Sequence, residues 1–332
     1  MIRLATLNLF NYLAPPGAFY DPHNIYTETQ WQQKQAWLSR YIGRLEADII
    51  GFQEVFSPEA LQRQMSELGF PHFAAVQAPE VEDAFIHRRP PVALASRFPI
   101  DEVAPVVPCN HALAAMGLTG FTFSRSPLRA RIRVPGFGPL LIYVVHLKSQ
   151  RAELLGEEGE GAKDGRWPLW LAPKLSGWLA ARQRTAEAAL VVADRNRQDL
   201  DLPCVVMGDF NDGPDSEALS LFQAAKRAPL PLAAQGLSES VQRNLLQRLA
   251  LQDAYALALR PMPRPYTHFW GPVGSTLDHL LLSCAFDPAY GQSLGQVDWV
   301  TTLDDHLLRN DAEGDKQCSD HAAVMAQISI RC

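Results

Sequence analysis

Apolar, β-branched runs of four to six residues recur along the whole chain, at residues 2–7, 49–52, 92–95, 140–145, 204–207, 277–282 and 324–328. Each is bounded by polar, Gly or Pro residues, the pattern of strands buried on both faces. Between these runs the apolar spacing lengthens to three and four residues. Residues 34–46 carry one such helical pattern, and a second follows Ser57-Pro58-Glu59, where Ser57 can cap and Pro58 suits the first helical position. A third spans 174–196, with Leu175, Trp178, Leu179, Arg182, Ala186, Ala189, Leu190 and Ala193 in helical register, and a fourth spans 240–259. Strands outnumber helices and do not alternate strictly with them. That predicts packed sheets with helices outside rather than a doubly wound or barrel fold. Three segments read as long loops: 11–30, 151–173 and 301–318. Loops of that length in a compact domain are functional or disordered.

Composition narrows the class. The 332 residues are 47% hydrophobic and 20% charged, which excludes a disordered or collagen-like chain. No linker or repeat interrupts them, so residues 1–332 are expected to form a single domain. No run approaches the roughly 20 apolar residues of a membrane-spanning helix, and the first residues read as a strand, not a signal peptide. Thirty Lys+Arg against 36 Asp+Glu give a net charge of −6. That deficit counts against a protein that tracks long duplexes by charge alone, but not against an enzyme whose metal neutralises a phosphate. The five cysteines, Cys109, Cys204, Cys284, Cys318 and Cys332, form no C-x-x-C pair. A reduced, cytoplasmic protein is expected, with Cys204 and Cys284 as small buried hydrophobes.

The chemistry lies at the ends of the apolar runs. Asn8 ends the first and Glu54 follows the second. His146 follows Leu-Leu-Ile-Tyr-Val-Val, and Asp209 and Asn211 follow Cys-Val-Val-Met-Gly. Asp278 and His279 interrupt residues 277–282, and Asp320 and His321 precede the last strand. A carboxylate at a strand end must be solvated, paired or bound to metal, because burying it alone costs several kcal/mol or more. Each residue singly is an ordinary turn former, cap or core histidine. Together, carboxylates, amides and histidines without thiolates suit Mg²⁺ or Mn²⁺ rather than structural zinc.

The ordered series Thr-Leu-Asn8, Gly-Phe-Gln-Glu54, Ala-Ser-Arg97-Phe-Pro, Val-His146-Leu-Lys-Ser, Gly-Asp209-Phe-Asn211, Leu-Asp278-His-Leu-Leu-Leu-Ser and Ser-Asp320-His321 resembles the endonuclease/exonuclease/phosphatase superfamily. The resemblance implies an α+β, deoxyribonuclease-I-like fold: a four-layer sandwich of two packed, mainly antiparallel or mixed sheets flanked by helices. It implies one or two Mg²⁺ or Mn²⁺ ions, with Glu54 as main ligand, Asn8 beside it and Asp320 near a second position. His321 is then the general base or phosphate-orienting imidazole, and Asp278 its orienting carboxylate. Asp209 aligns or deprotonates water, Asn211 donates to phosphate, and His146 stabilises or protonates the leaving oxygen. Arg129 is a further candidate phosphate contact, with a surface salt bridge as its alternative, and Lys148 a weaker one.

The segment Gly274-Ser275-Thr276-Leu277 before Asp278 lacks the aromatic and arginine of abasic-site endonucleases and the Cys-Asp-Arg of inositol-polyphosphate 5-phosphatases. The chain therefore resembles a bacterial-type cytosolic branch. The expected function is a metal-dependent phosphodiesterase acting on short, single-stranded or damaged nucleic acid, with no partner protein. The alternatives are a phosphatase or phosphodiesterase for a small metabolite or lipid headgroup, and a binding protein without chemistry. Trp167 and Trp170 in the 151–173 loop are read as packing onto the domain, with stacking on substrate as the alternative.

Overall fold

The first apolar run forms the eleven-residue strand Ile2–Tyr12, and its neighbours set the frame of the molecule. The computed structural model describes residues 1–82, 85–150, 171–223, 236–308 and 317–331. One six-stranded sheet has the spatial order Gly295–Leu303, Ala323–Ile330, Ile2–Tyr12, Ile49–Val55, Ala93–Ser96 and His72–Ala75. The other has the order Leu251–Asp253, Asp278–Ser283, Cys204–Asp209, Gly138–His146, Leu128–Val134 and Ile100–Pro105. Each sheet holds one central parallel pair, Ile2–Tyr12 with Ile49–Val55 and Gly138–His146 with Cys204–Asp209; the other pairings are antiparallel.

The sheets face each other across an apolar layer that includes Leu4, Ile49 and Leu94 from one side and Ile142, Val144, Val205 and Met207 from the other. The helices Glu28–Leu45 and Pro58–Glu67 cover the outer face of the first sheet, burying Trp37, Leu38, Ile42, Leu61 and Met65 there. The helix Leu171–Arg195 covers the second through Ala188, Leu190 and Val191. This is the expected four-layer sandwich. Burial of both faces explains why central strands read as unbroken apolar runs. Gly51 lets the layers approach closely: a Cβ there would lie 2.9 Å from Met207 Sδ and 3.2 Å from Val144 Cγ1.

Several elements differ from the sequence expectation. The helix expected at 34–46 begins at Glu28, where Thr27 and Gln30 form a capping box. The helical pattern at 240–259 is divided: Glu239–Leu249 is helix, Leu251–Asp253 joins the second sheet, and Asp253 caps the short helix Ala254–Leu257. The expected 301–318 loop starts too early, since Thr301, Thr302 and Leu303 pair with Met325, Val324 and Ala323. Leu128–Val134 escapes a search for continuous apolar runs because Arg129, Arg131 and Arg133 alternate with its buried residues. The short strand Ala18–Phe19 lies inside the 11–30 segment and pairs with Ile86–Arg88. Most of the 151–173 segment, with Trp167 and Trp170, falls outside the described residues, as does 309–316.

Candidate active site

Register places three polar residues in one row of the second sheet. Gly138–His146 sets His146 opposite Asp209, and Asp278–Ser283 sets Asp278 opposite Asp209 on the other side. All three are at most 2% exposed. Gly208 permits this: its φ is +148°, and a Cβ would fall 1.9 Å from the Val145 carbonyl oxygen. His146 Nε2 lies 3.5 Å from Asp209 Oδ2.

The first sheet supplies the facing half. Asn8 lies opposite Gln53, one residue before Glu54, at the ends of the parallel pair. Phe10, Asn11 and Glu54 all adopt left-handed backbone, with φ of 51°, 57° and 59°. Such residues cost on the order of 1–3 kcal/mol each and persist where surrounding contacts over-determine them. Here the Phe10 N–H donates to Asn8 Oδ1 at 3.0 Å and the Asn11 N–H to Glu54 Oε2 at 2.9 Å. Asn8 Nδ2 in turn donates across the sheets to Asp209 Oδ2 at 3.1 Å, with Glu54 Oε1 at 3.5 Å.

The Ser319-Asp320-His321 segment closes the site. Ser319 Oγ donates to the Asn8 carbonyl at 2.6 Å and accepts from the His321 N–H at 3.0 Å. His321 Nδ1 donates to Asp278 Oδ2 at 2.8 Å, which aims Nε2 toward Asp209 Oδ2, 3.9 Å away. Thr267 Oγ1 accepts from the Leu277 and Asp278 N–H groups, and the next residue, His268, forms a β-bridge to His321 with ring centroids 4.8 Å apart. His268 Nε2 is 3.9 Å from Asp320 Oδ2.

Environment drives the two buried histidines in opposite directions. Burial, then the charges of Arg125 and His321, hold His146 well below the ordinary imidazole range. Burial also opposes protonation of His321, but Asp278 and Asp209 together outweigh it and push His321 well above that range. Burial, with Asp278 adding to it, raises Asp209 to about 7 against the pull of His321. At neutral pH the site therefore pairs one uncharged imidazole with one imidazolium.

Among the described residues, two three-residue groups have ligand atoms close enough to share a metal ion: Asp209, Asp278 and His321, and His268, Asp320 and His321. Asp278 Oδ1 and Asp320 Oδ1 are buried without hydrogen-bond partners, so each carboxylate keeps an unsatisfied oxygen. Asn211 Nδ2 donates to the Leu147 carbonyl at 3.0 Å, leaving its second amide hydrogen, and its N–H donates to Asp209 Oδ1.

Asn8, Glu54, His146, Asp209, Asn211, Asp278, Asp320 and His321 thus gather where the parallel pairs end. Arg129 does not join them. It sits opposite Tyr143 in the register, and its guanidinium lies 2.9 Å from Asp194 Oδ2 and 3.6 Å from Glu102. Tyr143 packs in the outer layer under the Leu171–Arg195 helix and donates to the same Asp194. The salt-bridge alternative holds, and the phosphate-contact expectation for Arg129 is corrected.

Sequence reading missed Thr267, His268, Lys34 and Arg125. Thr267 and His268 carried a signal, as polar residues about ten positions before Asp278. Lys34 carried none, because only helix packing brings it near the site. It is 2% exposed, its Nζ has no hydrogen-bond partner, and it lies 5.7 and 5.6 Å from the ring centres of Phe10 and Tyr26.

The architecture has counterparts among solved structures. The human Nocturnin catalytic domain with bound sulfate anion matches with a TM-score of 0.57 at 18% identity, over 99% of this chain and 94% of that one. The endonuclease/exonuclease/phosphatase from Bacteroides vulgatus matches at 0.57 and 17% identity, over 99% of both chains. Humanized D. rerio TDP2 matches at 0.57 and 13% identity, over 99% and 98%. At these identities the likeness establishes the fold. No curated protein matches the chain in sequence. The model of the Endonuclease/Exonuclease/phosphatase family, by contrast, matches residues 7–321, from the strand that carries Asn8 to His321 itself. The chain belongs to the endonuclease/exonuclease/phosphatase family of phosphoester-hydrolysing enzymes.

Proposed function

We propose that the protein is a divalent-metal-dependent phosphodiesterase whose substrate is short, single-stranded or damaged nucleic acid. The reading is carried by one observation: Asn8 and Glu54 of one sheet meet the His146–Asp209–Asp278 row of the other, with His321 closing over it. Glu54, Asn8 and Asp320 would hold the ion. The carboxylate oxygens of Glu54 and Asp320, including the unsatisfied Asp320 Oδ1, fit a hard cation such as Mg²⁺ or Mn²⁺, with the Asn8 amide beside them. When bound, it supplies Lewis-acid stabilisation of the charge on a phosphate oxygen.

The remaining roles belong to the chain. His321, held as an imidazolium by Asp278, donates from Nε2 to a non-bridging oxygen. Its high proton affinity favours the phosphate-orienting role over that of general base. Asp209, raised to about 7, accepts the proton of the attacking water near neutrality. The free amide hydrogen of Asn211 supplies a second donor to phosphate, and His146, uncharged, offers an N–H to the leaving oxygen as the P–O bond breaks. The bound sulfate of the Nocturnin domain supports a tetrahedral anion as ligand of this fold. A single catalytic domain and a cytoplasmic setting belong to the same proposal.

The net charge of −6 favours a second reading, a phosphatase or phosphodiesterase for a small metabolite or headgroup. The test is hydrolysis of single-stranded oligonucleotides, bis-p-nitrophenyl phosphate and inositol and lipid phosphates, with Mg²⁺ or Mn²⁺ and with EDTA. Metal-dependent oligonucleotide cleavage that disappears in Asp209→Asn is the expected result. Turnover of inositol or lipid phosphates alone selects the second reading, and no turnover of any substrate leaves a binding protein.

A further inference from the structure

Arg129 is neutralised by Asp194 and Glu102, whereas four residues earlier Arg125 has no such acid paired with it among the described residues. Among the described residues Arg125 forms no hydrogen bond or ion pair, and its Nε is buried without a partner. Its backbone is nevertheless fixed on both sides. The Ser124 N–H donates to Glu187 Oε1 at 2.7 Å, and the Ser126 N–H donates to Gln77 Oε1 at 2.9 Å. The other oxygen of the fully buried Glu187 accepts from the Lys148 N–H at 2.7 Å. One carboxylate therefore clamps the Arg125 loop against the chain two residues beyond His146.

A guanidinium carried on a backbone held this way, with no compensating acid among the described residues, is stabilised by an anion arriving from outside, and its planar fork matches two oxygens of one phosphate. Its charge is already felt in the site, as one of the influences that keep His146 uncharged. A carboxylate partner would have cancelled that field, as Asp194 does for Arg129.

We propose that Arg125 is a phosphate-binding residue of the site, gripping non-bridging oxygens of the substrate phosphate on the His146 side. The inference rests on the phosphoester-hydrolase reading for the identity of its ligand, but its test does not depend on turnover. Inorganic phosphate is the probe, titrated calorimetrically into Mn²⁺-loaded wild type, Arg125→Met, Arg125→Lys and Arg129→Met. Circular dichroism checks folding, and Arg125→Gln stands in for any variant that fails it.

The expected result is a loss of phosphate affinity of about 10- to 100-fold in Arg125→Met, the range for one charge-assisted contact. Arg125→Lys should recover part of it, and Arg129→Met should match wild type. On an oligonucleotide, the salt dependence of binding should flatten by about one phosphate contact in Arg125→Met alone. Wild-type phosphate affinity in Arg125→Met, or a loss confined to Arg129→Met, overturns the assignment. A wild type that hydrolyses nothing, while phosphate binding still depends on Arg125, overturns the phosphodiesterase reading and keeps this one.

Discussion

Asn8 and Asp209 belong to different sheets, 201 residues apart in the chain, and the amide of one donates to the carboxylate of the other at 3.1 Å. Asn8→Asp would replace that donor with a second carboxylate facing Asp209. Without metal, like charges at this distance are destabilising. The variant should melt below wild type in EDTA and gain more than wild type from added Mn²⁺. Paired thermal melts at pH 7 check this, and an equal Mn²⁺ response would remove Asn8 from the metal set.

Asp278 holds His321 in its charged form, so Asp278→Asn should let the His321 titration fall toward the ordinary value near 6.5. The sign follows from linkage. A histidine whose folded pKa exceeds its unfolded one stabilises the fold below the unfolded pKa and loses that contribution as pH rises through the folded value. The variant should therefore show a smaller loss of stability from pH 6 upward than wild type, together with a fall in kcat of about 10² or more. NMR titration of the His321 ring and urea melts across pH separate the two effects.

Gly208→Ala tests the turn that presents Asp209. A methyl group there would overlap the Val145 carbonyl, and the backbone angle is unfavourable for any L side chain. A destabilisation of at least about 3 kcal/mol is expected, from steric overlap in a packed core together with backbone strain. Urea denaturation measures it; a loss below about 1 kcal/mol would show that the strand can shift.

Lys34 is pushed down to about 8, chiefly by burial, against the opposing pull of Glu54 and Asp320. Its folded value lies below its unfolded one, so between about pH 8 and 10.5 the unfolded chain binds more protons and stability rises with pH. In EDTA, wild type should gain stability over that window relative to Lys34→Met. Parallel slopes for the two proteins would show that the ammonium is solvated.

What the sequence displayed and what it hid have different physical origins. Asn8, Glu54, Asp209 and Asp278 were legible because a polar residue closing an apolar run is costly unless something uses it. Spacing along the chain does not dictate that they meet; only the resemblance to a known fold implied it. Leu128–Val134 displayed a period of two, but its arginines masked it from a search for continuous apolar runs. The fourth helical pattern broke where Leu251–Asp253 joins the second sheet and Asp253 then caps the next helix, a division local periodicity does not encode. Lys34 and Arg125 acquire meaning only from what surrounds them: one lies beneath two aromatic rings, the other in a clamped loop.

Because each sheet contributes half of the chemistry, the gap between them acts as a gauge, and Gly51 leaves room for Met207 within it. A side chain at that position would press on Met207, two residues from Asp209, and lever the carboxylate away from Asn8 while both sheets kept their own hydrogen bonding. Turnover should thus fail at a smaller perturbation than folding does. Hydrolysis would report the separation of the two halves more sensitively than any melting curve.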